Sequence, residues 1–176
     1  MCHRRHWDLG EQKRDPLSLV NRDNLVLRDS ITNARVILFS CSAYRSMCDA
    51  LYDQFQSGAG VILYRMGEGY ARKLLGAIPK LGLSRDEVIE GFERLSFLAG
   101  WGKLNLRIKE DYSAECVVDK CAFVLRREAI GQTSCYFFSG VLSSVAKELF
   151  KQEYRAHEVK CESSGSPVCR FQVEPI

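Results

Sequence analysis

The pattern of apolar and polar residues predicts four helices, each with one apolar face. The first begins at Ser40, a residue type that caps helices well, and ends near Gly58. A second helix follows, with small residues along one side that would let a neighbouring element come close: Gly60, Gly67 and Ala71. Ser84 and Glu87 form a capping box at the start of the third. The fourth follows residues 131–134, and its apolar side consists of Phe138, Leu142, Val145 and Leu149.

Strands are predicted where apolar residues form short runs or alternate with polar ones. The earliest are an edge strand near residues 25–27 and an apolar run at 35–39. Residues 104–108 alternate cleanly, which indicates a strand with one buried face. Another strand is expected within residues 115–125, with three apolar residues in step: Cys121, Phe123 and Leu125.

The chain closes with two predicted strands, at about 153–161 and 169–173, which form a hairpin. Helices concentrated in the first half and strands in the second predict an α+β domain. We expect an antiparallel sheet covered on one face by helices. Residues 1–24 are polar and charged, so we expect a tail or docking segment there and a single domain over 25–176.

The composition is that of a globular protein: 176 residues, of which 46% are hydrophobic and 27% are charged. The net charge of +3 comes from basic and acidic residues mixed along the whole chain, so no basic face indicates a nucleic-acid partner. Because no apolar run approaches the ~18 residues of a bilayer span and no signal peptide is visible, we expect a cytoplasmic protein without a membrane partner. In a reducing cytoplasm the eight cysteines would serve as ligands or core residues rather than as disulfides.

A metal site is indicated where the fourth helix and the final hairpin would meet. Cys135 lies at the start of that helix, Cys161 at the end of one strand and Cys169 at the start of the next. Either His157 or Glu158 can join them as a fourth donor. Three thiolates in a tetrahedral shell favour zinc. Four other cysteines are interpreted as core packing, in two pairs: Cys41 with Cys48, and Cys116 with Cys121.

Two sequence blocks resemble the 4-vinyl-reductase domain family, also described as hydrocarbon-binding. The first is GAGVILYRMGEG at 58–69; the second begins SCYFFSGVL at 134 and continues as EVKCESSGSPVCRF through 171. The family includes the sensor domains of bacterial transcription activators that respond to aromatic compounds, and its fold is similar to that of the vesicle-tethering TRAPP subunits. The resemblance covers roughly residues 30–174. It implies a structural, non-catalytic zinc held by Cys135, Glu158, Cys161 and Cys169.

The residues alone leave the fourth zinc ligand open. In a regular strand, residues four apart share a face and residues three apart do not, so His157 rather than Glu158 would accompany Cys161. A bulge just before Cys161 would reverse this order. The resemblance favours Glu158.

A ligand pocket is expected between the sheet and the helices, because aromatic residues lie on the elements that should converge there. The predicted pocket residues are Tyr64, Phe92, Phe97, Trp101 and Phe123. The leading interpretation is a zinc-containing, non-enzymatic sensor domain for a small hydrophobic or aromatic molecule, with a separate protein as its output. The resemblance also implies a homodimer. Two alternatives are an accessory or reductase role in tetrapyrrole metabolism and a protein-assembly module of TRAPP-like fold.

Overall fold

The computed structural model describes residues 20–23, 26–29, 35, 37, 39–76, 83–125 and 133–176. The chain divides into two compact units, Met1–Ile37 and Leu38–Ile176. In the first unit, strand β1 (Val20–Asp23) pairs antiparallel with β2 (Val26–Asp29). Strand β2 lies where the early edge strand was predicted, while β1 falls within the segment interpreted as a tail. The domain boundary at residues 24 and 25 stays a prediction.

The second unit is an α+β fold, as the residue pattern predicted. Its elements in chain order are α1 (Cys41–Phe55), α2 (Gly58–Leu75), α3 (Arg85–Leu98), β3 (Lys103–Ile108), β4 (Ala114–Asp119), α4 (Tyr136–Phe150), β5 (Tyr154–Lys160) and β6 (Cys169–Pro175). The four strands form one antiparallel sheet in the order β3-β4-β6-β5. The capping box predicted at the start of α3 is present in full. None of the described helices combines the length and the hydropathy needed to cross a bilayer.

Helix α4 packs on one face of this sheet and supplies the centre of the core. Its predicted apolar side is buried, with Phe138, Leu142 and Val145 each 1% exposed. These side chains share one core cluster with the alternate residues Phe171 and Val173 of β6. The residues between them on the sheet are more accessible, so apolar and polar positions alternate between the faces as a one-sided sheet requires.

Helices α2 and α4 approach closely at two glycines. A Cβ atom on Gly67 would lie 1.9 Å from the carbonyl oxygen of Phe137, and one on Gly140 would lie 1.9 Å from that of Tyr64. No residue with a side chain fits at either position without moving the opposite backbone. The small residues predicted to permit close packing therefore lie at the helix crossing itself.

Two strand predictions were wrong in part. Strand β4 ends at Asp119, because Lys120 adopts a positive φ of 56° that turns the chain out of the sheet. The residues placed in step on that strand therefore lie in an irregular segment, although they are buried: Cys121, Phe123 and Leu125. Of residues 35–39 the structure describes three; Arg35 makes an isolated bridge, and Ile37 and Phe39 are 71% and 58% exposed and lie outside any strand.

Candidate metal and ligand site

Four buried thiols meet where α4, β5 and β6 come together; we call Cys121, Cys135, Cys161 and Cys169 the thiol cluster. Cys135 is the residue that caps the N-terminus of α4. Cys161 follows the last residue of β5, and Cys169 is the first residue of β6. Cys169 pairs with Val118 near the end of β4, which brings the segment carrying Cys121 alongside. Each of the four side chains is at most 5% exposed.

The sulfur spacing within the cluster matches a metal shell. The Sγ atoms of Cys135 and Cys161 are 4.0 Å apart, and each lies 3.9 Å from Sγ of Cys169. A tetrahedral zinc site with Zn–S bonds of about 2.3 Å has sulfur–sulfur distances of about 3.8 Å. A disulfide is about 2.05 Å long, and all of these cysteines are free. The geometry is therefore that of separate thiols gathered around one point.

Glu158 supplies an oxygen donor to the same point. One ligand atom from each of Cys135, Glu158, Cys161 and Cys169 can be chosen so that all lie within 4.8 Å of one another. The Oε2 atom of Glu158 accepts hydrogen bonds from the backbone N–H groups of Ser134 (2.8 Å) and Cys135 (2.9 Å). Its Oε1 atom is buried and has no hydrogen-bond partner. A buried carboxylate oxygen without a donor is expensive unless it meets a cation, so this atom fits a metal ligand.

A bulge in β5 decides which side chain faces the cluster. The pairing register of β5 on β6 shifts between Glu158 and Lys160. The shift inserts a residue before Cys161, so that Glu158 and Cys161 turn to the same side although they are three apart. His157 is exposed and is not among the clustered donors. The regular alternation that favoured His157 fails at this bulge.

The turn between β5 and β6 presents polar donors to the sulfurs. The backbone N–H of Glu162 points at Sγ of Cys169 (3.4 Å), and the hydroxyl of Ser163 donates to Sγ of Cys161 (3.0 Å). The turn therefore surrounds two of the sulfurs with hydrogen-bond donors.

Burial and crowding shift the acidities of these groups. Burial raises the pKa of the Glu158 carboxyl to about 7, and the N–H of Cys135 opposes this shift. Hydrogen bonds from the side chains of Cys135 and Cys169 lower the pKa of the Cys121 thiol to about 5. The contacts with its three neighbouring thiols raise the pKa of Cys135 well above its usual value. These acidic groups are therefore crowded together in a buried corner, where a divalent cation would favour their ionised forms.

A second feature begins beside the thiols, where seven aromatic rings outside the sheet touch and an eighth, that of Phe171 on β6, lies 5.3 Å from Phe138. We call the seven rings outside the sheet the aromatic cluster: Tyr44, Tyr70, Phe92, Trp101, Phe123, Phe137 and Phe138. Trp101 and Phe138 each lie 5.4 Å, centre to centre, from the ring of Phe123. Tyr44 of α1 meets Phe123 edge to face at 5.5 Å, and Tyr70 of α2 lies 5.6 Å from Trp101. The cluster reaches the surface at Tyr70, which is 42% exposed.

The hydroxyl of Tyr44 gives the aromatic cluster a polar interior group. It is buried, the described part of the chain offers it no hydrogen bond of regular geometry, and its polar neighbour is the Cys48 thiol. Burial, followed by the presence of Cys48, raises the pKa of this hydroxyl. The group therefore stays protonated and available to donate.

Three of the predicted pocket residues lie in the aromatic cluster, namely Phe92, Trp101 and Phe123. Tyr64 lies elsewhere: its hydroxyl accepts a hydrogen bond from the N–H of Ala156 on β5 (3.2 Å). Phe97 is 64% exposed. It follows Phe92 by five residues on α3, a rotation of about 140° that points it away from the core.

Sequence reasoning missed Cys121 as a member of the thiol cluster and interpreted it as core packing. No ligand-type spacing marks it, because the positive φ of Lys120, not a local motif, brings it to the corner. Tyr44, Tyr70, Phe137 and Phe138 were also not assigned to the pocket. The helical spacing that placed Tyr44 and Phe138 on apolar faces was the available signal.

A separate apolar crevice lies between α4 and the sheet, away from both clusters. Its lining is entirely apolar: Leu106, Ile108, Ala114, Leu142, Val145, Ala146, Leu149, Phe150 and Val173. Its cavity volume of about 10 Å³ holds no more than a water molecule. The crevice is too small to receive an aromatic ring.

The part of the chain around the cysteine corner is similar to a known domain family. The model of the V4R domain family matches residues 115–175, the part that contains β4, α4, the bulged strand and the thiol cluster. An uncharacterised protein of Methanocaldococcus jannaschii is 23% identical over 120 residues, which cover 67% of each chain. The resemblance drawn from the sequence is thereby confirmed.

Several solved structures have the same fold as this chain. The phenol-responsive sensory domain of the transcription activator PoxR, determined with phenol, has a TM-score of 0.74 at 19% identity, covering 94% of this chain and 91% of its own. Subunit 3 of the trafficking protein particle complex from Naegleria fowleri, covalently bound to palmitic acid, has a TM-score of 0.61 at 17% identity, with coverages of 77% and 92%. A vinyl-4-reductase family protein of Methanocaldococcus jannaschii has a TM-score of 0.57 at 18% identity, with coverages of 80% and 84%. The expected α+β fold, similar to that of a TRAPP subunit, is confirmed.

Proposed function

We propose that this protein is a sensor domain that binds a small aromatic molecule within the aromatic cluster. We propose further that a zinc ion held by Cys135, Glu158, Cys161 and Cys169 clamps the closing hairpin to α4. The metal is structural, because four protein donors leave no open position for water or substrate. The PoxR sensory domain, which has the same fold, was determined with phenol.

The observation that carries this proposal is the direct connection between the two clusters. Cys135 belongs to the thiol cluster, and Phe137 and Phe138, two and three residues later on α4, belong to the aromatic cluster. Cys121 and Phe123 make the same connection through the segment after β4. A metal at the corner would therefore fix two walls of the aromatic cluster at once.

The ligand is expected to lie against Phe123 and Trp101, with Tyr70 at the entrance and Tyr44 donating to a polar group on the ring. Apolar burial supplies most of the binding free energy, at about 25 cal/mol per Å². The Tyr44 hydroxyl selects a ligand with an acceptor, because filling the site with a purely apolar ring leaves that hydroxyl unpaired.

Calorimetric titration with phenol and with toluene tests the proposal. In Tyr44→Phe, phenol affinity should fall about tenfold, the equivalent of one hydrogen bond, while toluene affinity stays the same or rises. Tyr112→Phe is the matched control, since Tyr112 is 55% exposed and is not part of the aromatic cluster. Equal losses for both ligands in Tyr44→Phe, or no binding of either ligand by the unmutated protein, would contradict the proposal.

The remaining features of the assignment are also proposals. We propose that this domain signals through a separate protein, and we place it in the cytoplasm, where free thiols persist. The homodimer implied by the family resemblance is supported by exposed apolar residues on α1 and α2: Met47, Phe55, Val61 and Met66.

A further inference from the structure

The corner carries one more sulfur than the zinc site just proposed would use. Sγ of Cys121 lies 3.8 Å from Sγ of Cys135, the shortest of the sulfur–sulfur distances given for this cluster. The Cys121 side chain is 5% exposed, and its thiol is free. Cys121 lies outside the group of four whose ligand atoms are all within 4.8 Å of one another, and its sulfur adjoins that group at Cys135.

The separation between Cys121 and Cys135 is that of two ligands on one ion. Four thiolates on a tetrahedral zinc lie about 3.8 Å apart. The distances from Cys135 to Cys121, Cys161 and Cys169 are 3.8, 4.0 and 3.9 Å. Sγ of Cys121 therefore lies at a ligand-to-ligand distance from one ligand of the proposed site.

The backbone around Cys121 is anchored to the same turn as the other ligands. Its N–H donates to Oε1 of Glu162 (3.0 Å), while the N–H of Glu162 points at Sγ of Cys169 (3.4 Å). One residue of the hairpin turn thus ties the Cys121 segment to a ligand of the proposed site. This hydrogen bond fixes the position of the Cys121 backbone relative to the hairpin turn.

Glu158 can leave a metal without losing its place. Its Oε2 atom already holds the N–H groups of Ser134 and Cys135 at the start of α4. Those two hydrogen bonds remain whether or not Oε1 contacts an ion. Among the donors of the proposed site, Glu158 is therefore the one whose position does not depend on the ion, although its Oε1 atom then lies buried without a partner.

We infer that Cys121 is a further metal ligand that exchanges with Glu158, giving the corner a four-thiolate shell for soft, thiophilic ions such as Cd²⁺. The inference rests on the proposed metal site and adds a second coordination mode to it. Soft ions prefer sulfur to oxygen, so they select the shell that contains Cys121.

Cadmium titration of the metal-free, reduced protein tests this inference. The ultraviolet thiolate-to-Cd²⁺ charge-transfer absorbance per bound ion should fall by about a quarter in Cys121→Ser, because one of four thiolates is lost. Cys48→Ser is the matched control: it also removes a buried thiol, but one that packs with Leu63 and Leu125 in a separate core cluster, and it should leave the band unchanged. An unchanged band in Cys121→Ser would overturn the inference.

X-ray absorption spectroscopy of the unmutated protein with bound Cd²⁺ counts the sulfur neighbours of the ion directly. Four sulfur neighbours around the ion are expected, and three sulfurs with one oxygen would overturn the role of Cys121. That second result would leave the proposed three-cysteine and glutamate site standing. If the unmutated protein binds neither Zn²⁺ nor Cd²⁺ at one ion per chain, the metal site itself is refuted along with the inference.

Discussion

Glu158 has different tasks for its two carboxylate oxygens. Oε2 accepts the two N–H groups that open α4, where a negative charge is also favoured by the helix dipole. Oε1 faces the thiols and is unpaired. The same side chain thus caps a helix and, in the proposed site, would also complete the metal shell, a combination that suits a carboxylate better than an imidazole.

Removing one donor should separate these tasks. Cys161→Ser should lose the zinc and about 3 kcal/mol of unfolding free energy, because a structural metal contributes its binding energy to folding. Glu158→Gln keeps an acceptor for the two N–H groups and should retain the fold with weaker zinc binding. Elemental analysis and denaturant unfolding measure the two effects. Cys48→Ser should keep its zinc, and a Cys161→Ser protein with full zinc content and an unchanged unfolding curve would refute the clamp.

At the scale of elements, the crossing of α2 and α4 sets the distance between the helical layer and the sheet. Gly67 of α2 packs against the backbone of α4, and Gly140 of α4 packs against the backbone of α2. At each glycine, a carbonyl oxygen of the opposite helix lies where a side chain would begin. Ser144 adds a hydrogen bond from its hydroxyl to the carbonyl of Glu68 (3.2 Å) across the same crossing. Because α4 carries both clusters, this contact also determines where the aromatic rings lie.

A methyl group at the crossing should destabilise the protein. Gly67→Ala should lower the unfolding free energy by about 3 kcal/mol, since the new Cβ forces the two backbones apart. Gly69→Ala lies two residues along the same helix, where nothing lies within 4 Å of the added atom, and should be neutral or stabilising by up to about 1 kcal/mol. Urea unfolding compares the two variants; similar losses for both would show that the crossing is not tightly packed.

The elements themselves could be predicted because local rules and burial agree. The capping box at Ser84 and Glu87, the apolar side of α4 and the alternation along β3 each identified its element. The failures arose where a single backbone irregularity governs the outcome. The positive φ of Lys120 removes Cys121 from the predicted strand, and the register shift after Glu158 reverses the choice between it and His157. Neither irregularity lies at a glycine or a proline, so the sequence contains no residue that would have indicated it.

At the scale of the whole molecule, the first two helices leave apolar side chains on the surface of the second unit. Val61 of α2 is 66% exposed and Phe55 of α1 is 51% exposed. Exposed apolar residues grouped on adjoining helices are typical of an interface between subunits. They support the proposal that this protein is a homodimer.

A charge on this surface should separate the subunits. Val61→Asp should halve the mass measured by light scattering after size-exclusion chromatography, because the carboxylate would be buried without a partner in the dimer. Its circular dichroism should be unchanged. Lys73→Asp, a charge change at another exposed position of α2, should remain dimeric. A monomeric unmutated protein, or a dimer that survives Val61→Asp, would refute this interface.

The first turn of α4 places Cys135 next to Phe137 and Phe138. An ion bound by Cys135 and a ligand bound by the two aromatic rings would therefore contact the same turn of the helix. The two binding equilibria are then linked: if the ion changes the affinity for the ligand by some factor, the ligand changes the affinity for the ion by the same factor. Under the proposed function, if the two binding events favour each other, zinc depletion in the cell would lower the affinity of this protein for aromatic compounds, and an abundance of those compounds would raise its affinity for zinc by the same factor.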